Sequence, residues 1–404
     1  MTLDIIQDKK NKWITKIFRN LVGLSVPIFV VFAQVLVAEY LLCFVAWYAM
    51  SDGLKDLSGT PLGADFLNVY AAGLLVDRGQ AGLAYDWAFH HQVELATVGY
   101  ASPYFAWHYP PMFLTVAGLF ALLPYLWALG LYLAAGFAGY WVVLRRIAPR
   151  TKEFLWMLAA FPGVFTNICS GQNGFITTAL FGAGMLTLER RPWLAGVLLG
   201  LLSYKPQFFV VIPLILLFGG YGRALLATGA SALASIALSW VLFGTETWLA
   251  FFNSTTLTQH IILEQGSTGW KKIQSVFSLA RMWGCDIPTA YVLQSLVALA
   301  ALASAAWVWH RKATFSIRVA ALSAAILLTT PYLLDYDLVI LAVPIAFWAR
   351  EGVKTGFQPY EKIIFGALWL LPLLARMLGG YALPVTPPLL VALMALCLLR
   401  TKKT

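Results

Sequence analysis

The sequence predicts an all-α integral membrane protein that crosses the bilayer many times. Of its 404 residues, 60% are hydrophobic and 11% are charged, whereas about a quarter of the residues in a soluble domain are charged. The mean hydropathy is +0.75, and the apolar residues are spread over the whole chain. One globular core could not bury them, so we expect a single integral membrane domain over residues 1–404.

The membrane segments are predicted from long apolar runs. The first run extends from about Asn20 to Met50 and follows five basic residues. It is too long for a cleaved signal peptide, so we expect a retained first span. Further runs lie near residues 111–144, 154–168, 175–188, 193–203, 208–218, 224–243, 290–309, 319–334, 338–348, 363–374 and 388–399. Together they predict 11 to 13 membrane segments, because the run 111–144 is interrupted at Pro124 and could cross once or twice.

The distribution of charge predicts the orientation of these segments. Lys and Arg gather in short clusters between the apolar runs, so membrane topology explains the net charge of +10 better than a nucleic-acid partner does. With these clusters on the cytoplasmic side, two long loops, 51–107 and 244–287, fall on the outer side. Three polar motifs join them there, at residues 171–173, 204–207 and 335–337.

Several apolar segments are too short to cross the membrane. At ~1.5 Å per residue, a helix of about 11 to 15 residues cannot span a ~30 Å hydrocarbon core. Their ends, which carry the three polar motifs, should therefore lie at membrane depth. Irregular polar backbone is tolerated there only inside protein or beside a water-filled cavity. We expect these motifs to converge on one cavity.

The first outer loop, residues 51–107, is predicted to hold two amphipathic juxtamembrane helices. Apolar or small residues at positions 66, 69, 70, 73 and 74 have the spacing of one helix face. Asp65 stands at the start of this helix, where a helix cap and a catalytic carboxylate are both open interpretations. Tyr70 is a candidate substrate contact on the same helix.

Asp86 begins the second predicted helix of this loop, with His90 and Glu94 one turn apart. That spacing could bind a metal, but no third ligand is evident nearby, so a solvated polar face is favoured and no metal is expected. The four cysteines are far apart and indicate neither a zinc site nor a disulfide framework. His108 and Tyr109 then lead through two prolines back into the membrane and are candidate binding residues.

The polar motifs supply the remaining candidates. Gln172 and Asn173 lie between two apolar segments, where their amides either contact a ligand or satisfy broken helix ends. Lys205, followed by Gln207, is a costly intramembrane cation unless it snorkels or has an anionic partner, which could be a phosphate or an outer carboxylate. Arg281 is a further cation on the outer side.

Two carboxylates at a span end complete this set. Asp335 and Asp337 could perform acid/base chemistry, orient an acceptor, or pair with Lys205. Glu39 lies within the first span and is predicted to have a buried partner.

Five stretches in order resemble one family. They are ADFLNVYAAG...LAYD (64–86), HYPPMF...LLPY (108–125), GQNGFITTALFGAGMLTLERRPWLAGVLLGLLSYKPQ (171–207), IQSVFSLAR (273–281) and TPYLLDYDL (330–338). Over roughly residues 60–350 the chain resembles glycosyltransferase family 87, whose members are polytopic enzymes of the GT-C fold. The family's phosphatidylinositol-mannoside mannosyltransferases carry histidines where this chain has Asp335-Tyr336-Asp337.

The resemblance implies a function. It implies inverting transfer of a sugar, typically mannose, from a polyprenyl-phosphate donor to an acceptor, expected to be a glycolipid or another glycan. It implies Asp65 as general base, without metal or cofactor, in a bacterial inner membrane with the active site facing the periplasm. The residues agree with this function, since Lys205 and Arg281 could lie near the donor phosphate and the sequence contains no Gly-rich nucleotide motif.

Two other classes of membrane protein share some of these features. A transporter or lipid flippase would also have broken helices and intramembrane charges. However, the sequence shows no internal repeat, and a transporter does not need a long outer loop with amphipathic helices. A scaffold without activity would have no need of a buried Lys and Asp at span ends.

Overall fold

The computed structural model describes residues 26–358 and 360–402, and within them the chain forms helices and no β-strand. The eighteen α-helices in this part are α1 (Val26–Ala49), α2 (Phe66–Asp77), α3 (Trp87–Val98), α4 (Leu114–Ala121), α5 (Tyr125–Ile147), α6 (Lys152–Ala159), α7 (Pro162–Cys169), α8 (Gly174–Thr187), α9 (Pro192–Gly200), α10 (Pro206–Phe209), α11 (Val211–Phe218), α12 (Gly222–Thr258), α13 (Val276–Met282), α14 (Ile287–His310), α15 (Phe315–Thr329), α16 (Ala342–Thr355), α17 (Glu361–Gly379) and α18 (Thr386–Thr401). The predicted all-α polytopic membrane protein is confirmed.

Within the described residues, five helices are long and apolar enough to cross a membrane, namely those at Val30–Ala49, Tyr125–Ile147, Gly222–Glu264, Ile287–His310 and Glu361–Gly379. Seven further apolar helices are only 10–17 residues long. In the run 111–144 the break falls at Pro124, directly before α5, so α5 is the part of this run with the length to cross. The short helices therefore need neighbours in the protein to satisfy their ends.

Helix α15 forms the centre of the bundle. Its residues from Ser316 to Leu328 are all buried, and α14, α16 and α18 pack around it. A helix that is apolar on every face is stable only where neighbours surround it. The chain then leaves α15 through residues 330–334 and enters a 3₁₀ helix at Asp335–Leu341, which is also fully buried. This turn places the DYD motif in the interior.

Helix α1 packs through one face and leaves the other free. Ala33, Leu36 and Tyr40 are buried, whereas Glu39 is exposed on the other side of the helix. The prediction of a buried partner for Glu39 is therefore wrong, because the helix turns this residue away from the bundle. The basic residues predicted to precede the first span lie outside the described residues.

Helix α2 is the largest departure from the sequence pattern. Nine of its twelve residues are buried, so the prediction of an amphipathic surface helix is wrong here. The helix lies between α3 and α4, and α4 approaches so closely that a Cβ at Gly73 would overlap the Ala117 carbonyl oxygen. The predicted apolar face carries Gly73 and packs on α4, but Asn68, Ala71 and Leu75 on the opposite face are buried as well.

This close packing predicts a stability loss for Gly73→Ala. The added methyl group has to displace backbone of α4, and overpacking of this kind costs about 1–3 kcal/mol. We expect a lower melting temperature in detergent for Gly73→Ala than for wild type. Gly130→Ala on α5 is the matched control, because a Cβ there meets no atom within 4 Å. Equal melting of Gly73→Ala and Gly130→Ala would contradict the packing described.

Candidate active site

Asp65 precedes α2 but does not cap it. The residue is buried and its side chain makes no capping hydrogen bond. Its Oδ2 instead accepts a hydrogen bond of 2.9 Å from Gln172 Nε2, and Lys272 Nζ lies 3.1 Å from Oδ2 and 3.3 Å from Oδ1. The cap interpretation of Asp65 is therefore wrong, and the carboxylate is held in a polar pocket between three distant parts of the chain.

The GQN turn positions the amide that holds Asp65. Gly171 has φ of +60°, and a Cβ there would overlap the Gly63 carbonyl oxygen, so the turn needs glycine at this position. Asn167 Nδ2 donates to the Gln172 backbone carbonyl at 2.9 Å. The Tyr109 hydroxyl donates to Gln172 Oε1 at 2.9 Å. Gln172 is thus fixed at both ends and links Asp65 to Tyr109.

A second ion pair lies beside the first. Lys205 Nζ is 2.6 Å from Asp337 Oδ1, and both side chains are 3% exposed. The Tyr336 ring lies close to both cations, with its centre 5.9 Å from Lys205 Nζ and 5.6 Å from Lys272 Nζ. Lys205 therefore has the anionic partner that its depth requires, and that partner is a carboxylate of the DYD motif.

Asp335 extends this cluster towards the surface. Its carboxylate Oδ2 is 3.6 Å from Arg376 Nη1, and its backbone N–H donates to the Lys272 carbonyl at 3.1 Å. An isolated antiparallel bridge joins Ile273 to Leu334 next to this contact. The backbone pairing of these two loops brings Lys272 to Asp65, although the two residues are 207 positions apart.

Three predicted site residues have other partners. His108 Nδ1 lies 3.0 Å from Thr258 Oγ1, and burial lowers the pKa of His108 to about 4, which keeps the ring neutral. The Tyr70 hydroxyl donates to the Leu123 carbonyl at 2.9 Å. Arg281 donates to the Cys285 carbonyl at 2.6 Å and lies over the Trp270 ring.

Two predicted amides make no side-chain hydrogen bond to another residue in the described part of the chain. Asn173 is fully buried, and both its side-chain oxygen and nitrogen lack a hydrogen bond within the described residues. Gln207 is half-buried at the start of α10. A buried amide that is unsatisfied by protein is suited to bind water or a ligand.

Of the site residues predicted from the sequence, the structure brings together Asp65, Tyr109, Gln172, Lys205, Asp335 and Asp337.

Sequence reasoning missed three members of this cluster. Lys272 carried a signal, since it is a cation in an outer loop, but its neighbours Lys271 and Arg281 carried the same signal. Tyr336 stands between two candidate carboxylates and could have been included with them. Arg376 lies near the end of apolar helix α17, and only the fold shows that it reaches Asp335.

His90 and Glu94 are buried and not solvated. Both are 0% exposed, so the prediction of a solvated polar face is wrong. His90 Nδ1 is 3.6 Å from Glu94 Oε1, and Glu94 Oε2 accepts from the Phe105 N–H at 3.1 Å. Among the described residues no group of three His, Cys, Asp or Glu side chains could hold a metal ion.

Burial of Glu94 predicts a pH-dependent stability. Desolvation raises its pKa from the ordinary 4.5 to about 9, so the folded protein keeps the proton that the unfolded chain releases above pH 4.5. The free energy of unfolding therefore falls as pH rises from about 4.5 through 9. Glu94→Gln removes the titrating carboxyl group but keeps a side-chain oxygen that can accept the hydrogen bond from the Phe105 N–H. We expect its melting temperature to exceed that of wild type at pH 8 and the difference to close towards pH 5. A difference independent of pH would contradict this account.

Comparison with known proteins agrees with these observations. A family model described as glycosyltransferase family 87 matches residues 107–331, which is more than half of the chain. No curated protein and no solved structure matches the chain. The matched range contains Tyr109, Gln172, Lys205 and Lys272, four members of the buried cluster. The chain belongs to glycosyltransferase family 87 and is a polytopic membrane glycosyltransferase.

Proposed function

We propose that the protein transfers a sugar, with mannose as the proposed sugar, from a polyprenyl-phosphate donor to an acceptor hydroxyl with inversion, and that Asp65 is the general base. The observation that supports this most is the carboxylate of Asp65 itself. It is buried at the start of a helix that it does not cap, and it is bound by Gln172 and Lys272. A helix start that only needed stabilisation would use the carboxylate as a cap.

The chemistry needs one base and positive charge. The acceptor oxygen attacks the anomeric carbon of the donor while its proton passes to an Asp65 oxygen. The bond from the anomeric carbon to the phosphate oxygen breaks, and the phosphate leaves with the electron pair. Since a phosphate is already a good leaving group, the protein has to supply only the base and cations that stabilise the leaving charge.

The two lysines suit different roles in this scheme. Lys272 is 20% exposed and already contacts the base, so we assign it to the donor phosphate. When Lys272 turns to the phosphate, it leaves an Asp65 oxygen free to take the proton of the acceptor hydroxyl. Lys205 is almost fully buried against Asp337, so we assign it to positioning Asp337 and Tyr336. Asn173, Gln207, His108 and Asp335 are proposed to line the sugar and acceptor sites, and Tyr70 and Arg281 to support them.

The orientation and location are part of the same proposal. The basic clusters between apolar runs favour a cytoplasmic side opposite to the site. The loops 51–107 and 244–287 then lie on the outer side, facing the periplasm of a bacterial inner membrane. The sugar would arrive there on a lipid, and a glycolipid is the expected acceptor. The GT-C fold that family resemblance implies has this arrangement, with no metal or cofactor.

Transfer by the purified protein tests this proposal. The protein in detergent is incubated with a membrane-lipid extract and radiolabelled polyprenyl-phosphate mannose, glucose or arabinose, or with the matching nucleotide sugars. We expect a labelled product from one polyprenyl-phosphate donor and none from nucleotide sugars. Transfer from a nucleotide sugar alone would contradict the proposed donor. Lipid movement in sealed vesicles without any transfer would instead favour the flippase alternative.

A further inference from the structure

A groove of about 500 Å³ opens beside the candidate site, at the end of α17. Its lining combines two cations with apolar and aromatic side chains, namely Lys271, Leu373, Arg376, Met377, Gly380 and Tyr381. This combination of charge and apolar surface is typical of a site for an amphiphile with an anionic head group. None of these residues was identified as a site residue from the sequence.

The cationic end of the groove is continuous with the buried cluster. The Arg376 side chain is 56% exposed and its Nη1 lies 3.6 Å from the buried carboxylate of Asp335. Lys271 is exposed and directly precedes Lys272, which holds Asp65. The end of α17 packs on the Lys271 backbone, since a Cβ at Gly379 would lie 3.3 Å from the Lys271 carbonyl oxygen. A charged group in the groove would therefore lie next to the proposed reaction centre.

The apolar end of the groove continues along a membrane helix. Helix α17 is one of the five helices able to cross a membrane. Leu373 and Met377 are 41% and 54% exposed. Leu370 and Gly366 continue the same face at helical spacing, and a Cβ at Gly366 would meet no atom within 4 Å. From Gly366 to Met377 this face is roughly 16 Å long at 1.5 Å per residue.

We propose that this groove binds the lipid phosphate of the sugar donor, with the phosphate between Lys271 and Arg376 and the prenyl chain along the 366–377 face of α17. The inference rests on the proposed function and adds where the donor enters. Arginine suits the planar, bidentate recognition of phosphate oxygens, while lysine supplies a flexible point charge. A single prenyl chain fits one helix face and places its phosphate beside Lys272.

Binding of a polyprenyl phosphate that carries no sugar tests the groove separately from transfer. The full chain is reconstituted in phosphatidylcholine nanodiscs and titrated with a fluorescent long-chain polyprenyl phosphate. We expect Lys271→Gln and Arg376→Gln each to raise Kd by about tenfold, since a hydrogen bond to a charged group contributes about that factor. Met377→Glu leaves the Arg376–Asp335 pair in place and adds a negative charge to the groove, so it should raise Kd as well. Lys362→Gln, an exposed cation at the other end of α17, is the control and should bind as wild type.

The outcomes separate the groove from the function. If the wild type binds and Lys271→Gln and Met377→Glu bind with the same Kd, the groove is not the binding site, while the proposed donor is not contradicted. No binding to folded wild type would overturn both. Equal competition by phosphatidylglycerol or inorganic phosphate would overturn the proposal, because the site would then be a general anion site. Selective loss in the groove variants, with competition only by polyprenyl phosphate, supports it.

Discussion

Asp65→Asn should lower transfer by about 10²–10⁴-fold, the range that general-base catalysis contributes. The amide has nearly the same shape and still offers an oxygen to Gln172 Nε2, but it cannot accept the acceptor proton. Transfer is measured as initial rate at saturating donor. Because the groove lies on the other side of Lys272, binding of sugar-free polyprenyl phosphate should remain within a few-fold of wild type.

Asp86→Asn is the matched control for this substitution. Asp86 lies in the same loop and caps α3 by accepting from the Phe89 N–H at 2.9 Å, and asparagine is an equally good N-cap. The control should therefore transfer sugar at nearly the wild-type rate. If Asp65→Asn, folded by its melting temperature, also transferred at a near wild-type rate, Asp65 would not be the base.

Lys205→Met is expected to have the largest effect on stability. It leaves the carboxylate of Asp337 buried without its partner, which costs about 3–5 kcal/mol. Leu334 N–H still donates to Asp337 Oδ2 at 3.3 Å, but one neutral donor does not replace an ammonium group. We expect a strongly lowered melting temperature and loss of transfer together.

The double variant Lys205→Met/Asp337→Leu separates folding from function. Replacing both members of a buried ion pair by apolar residues of similar volume is often neutral for stability. We therefore expect the double variant to recover most of the melting temperature but not transfer. Tyr336 and the cavity would still lack the charged side chains of Lys205 and Asp337 beside them. Recovery of both properties would show that the pair only fills space. Failure of the double variant to recover stability would contradict the unpaired-charge explanation.

Much of the site could be anticipated from local sequence. The polar motifs interrupt apolar segments that are too short to span, and this alone predicts that they meet at membrane depth. The pairing of Lys205 with Asp337 was one of the alternatives that the cost of a buried cation suggested. Gln172 was a candidate for the same reason, since a buried amide needs partners. These inferences depend on the energetic cost of burying each polar side chain, and they do not require knowledge of which residues surround it in the fold.

The remaining features depend on contacts distant in sequence. Lys272 reaches Asp65 only because the loops at 273 and 334 pair through their backbones. Nothing local distinguishes Lys272 from Arg281, which lies on Trp270 instead. Likewise, the periodicity of α2 describes only the face that carries Gly73 and packs on α4, whereas Asn68, Ala71 and Leu75 on the opposite face are buried too. Tertiary packing decides such cases, and it overrides the local pattern.

The anomeric configuration of the product tests the central claim most directly. One carboxylate base beside a phosphate leaving group allows a single displacement, which inverts the anomeric carbon. The product formed from a polyprenyl-phosphate sugar of known configuration is isolated and its anomeric coupling is measured by NMR. We predict the configuration opposite to that of the donor. Retention of configuration would exclude a single in-line displacement and would contradict the role given to Asp65.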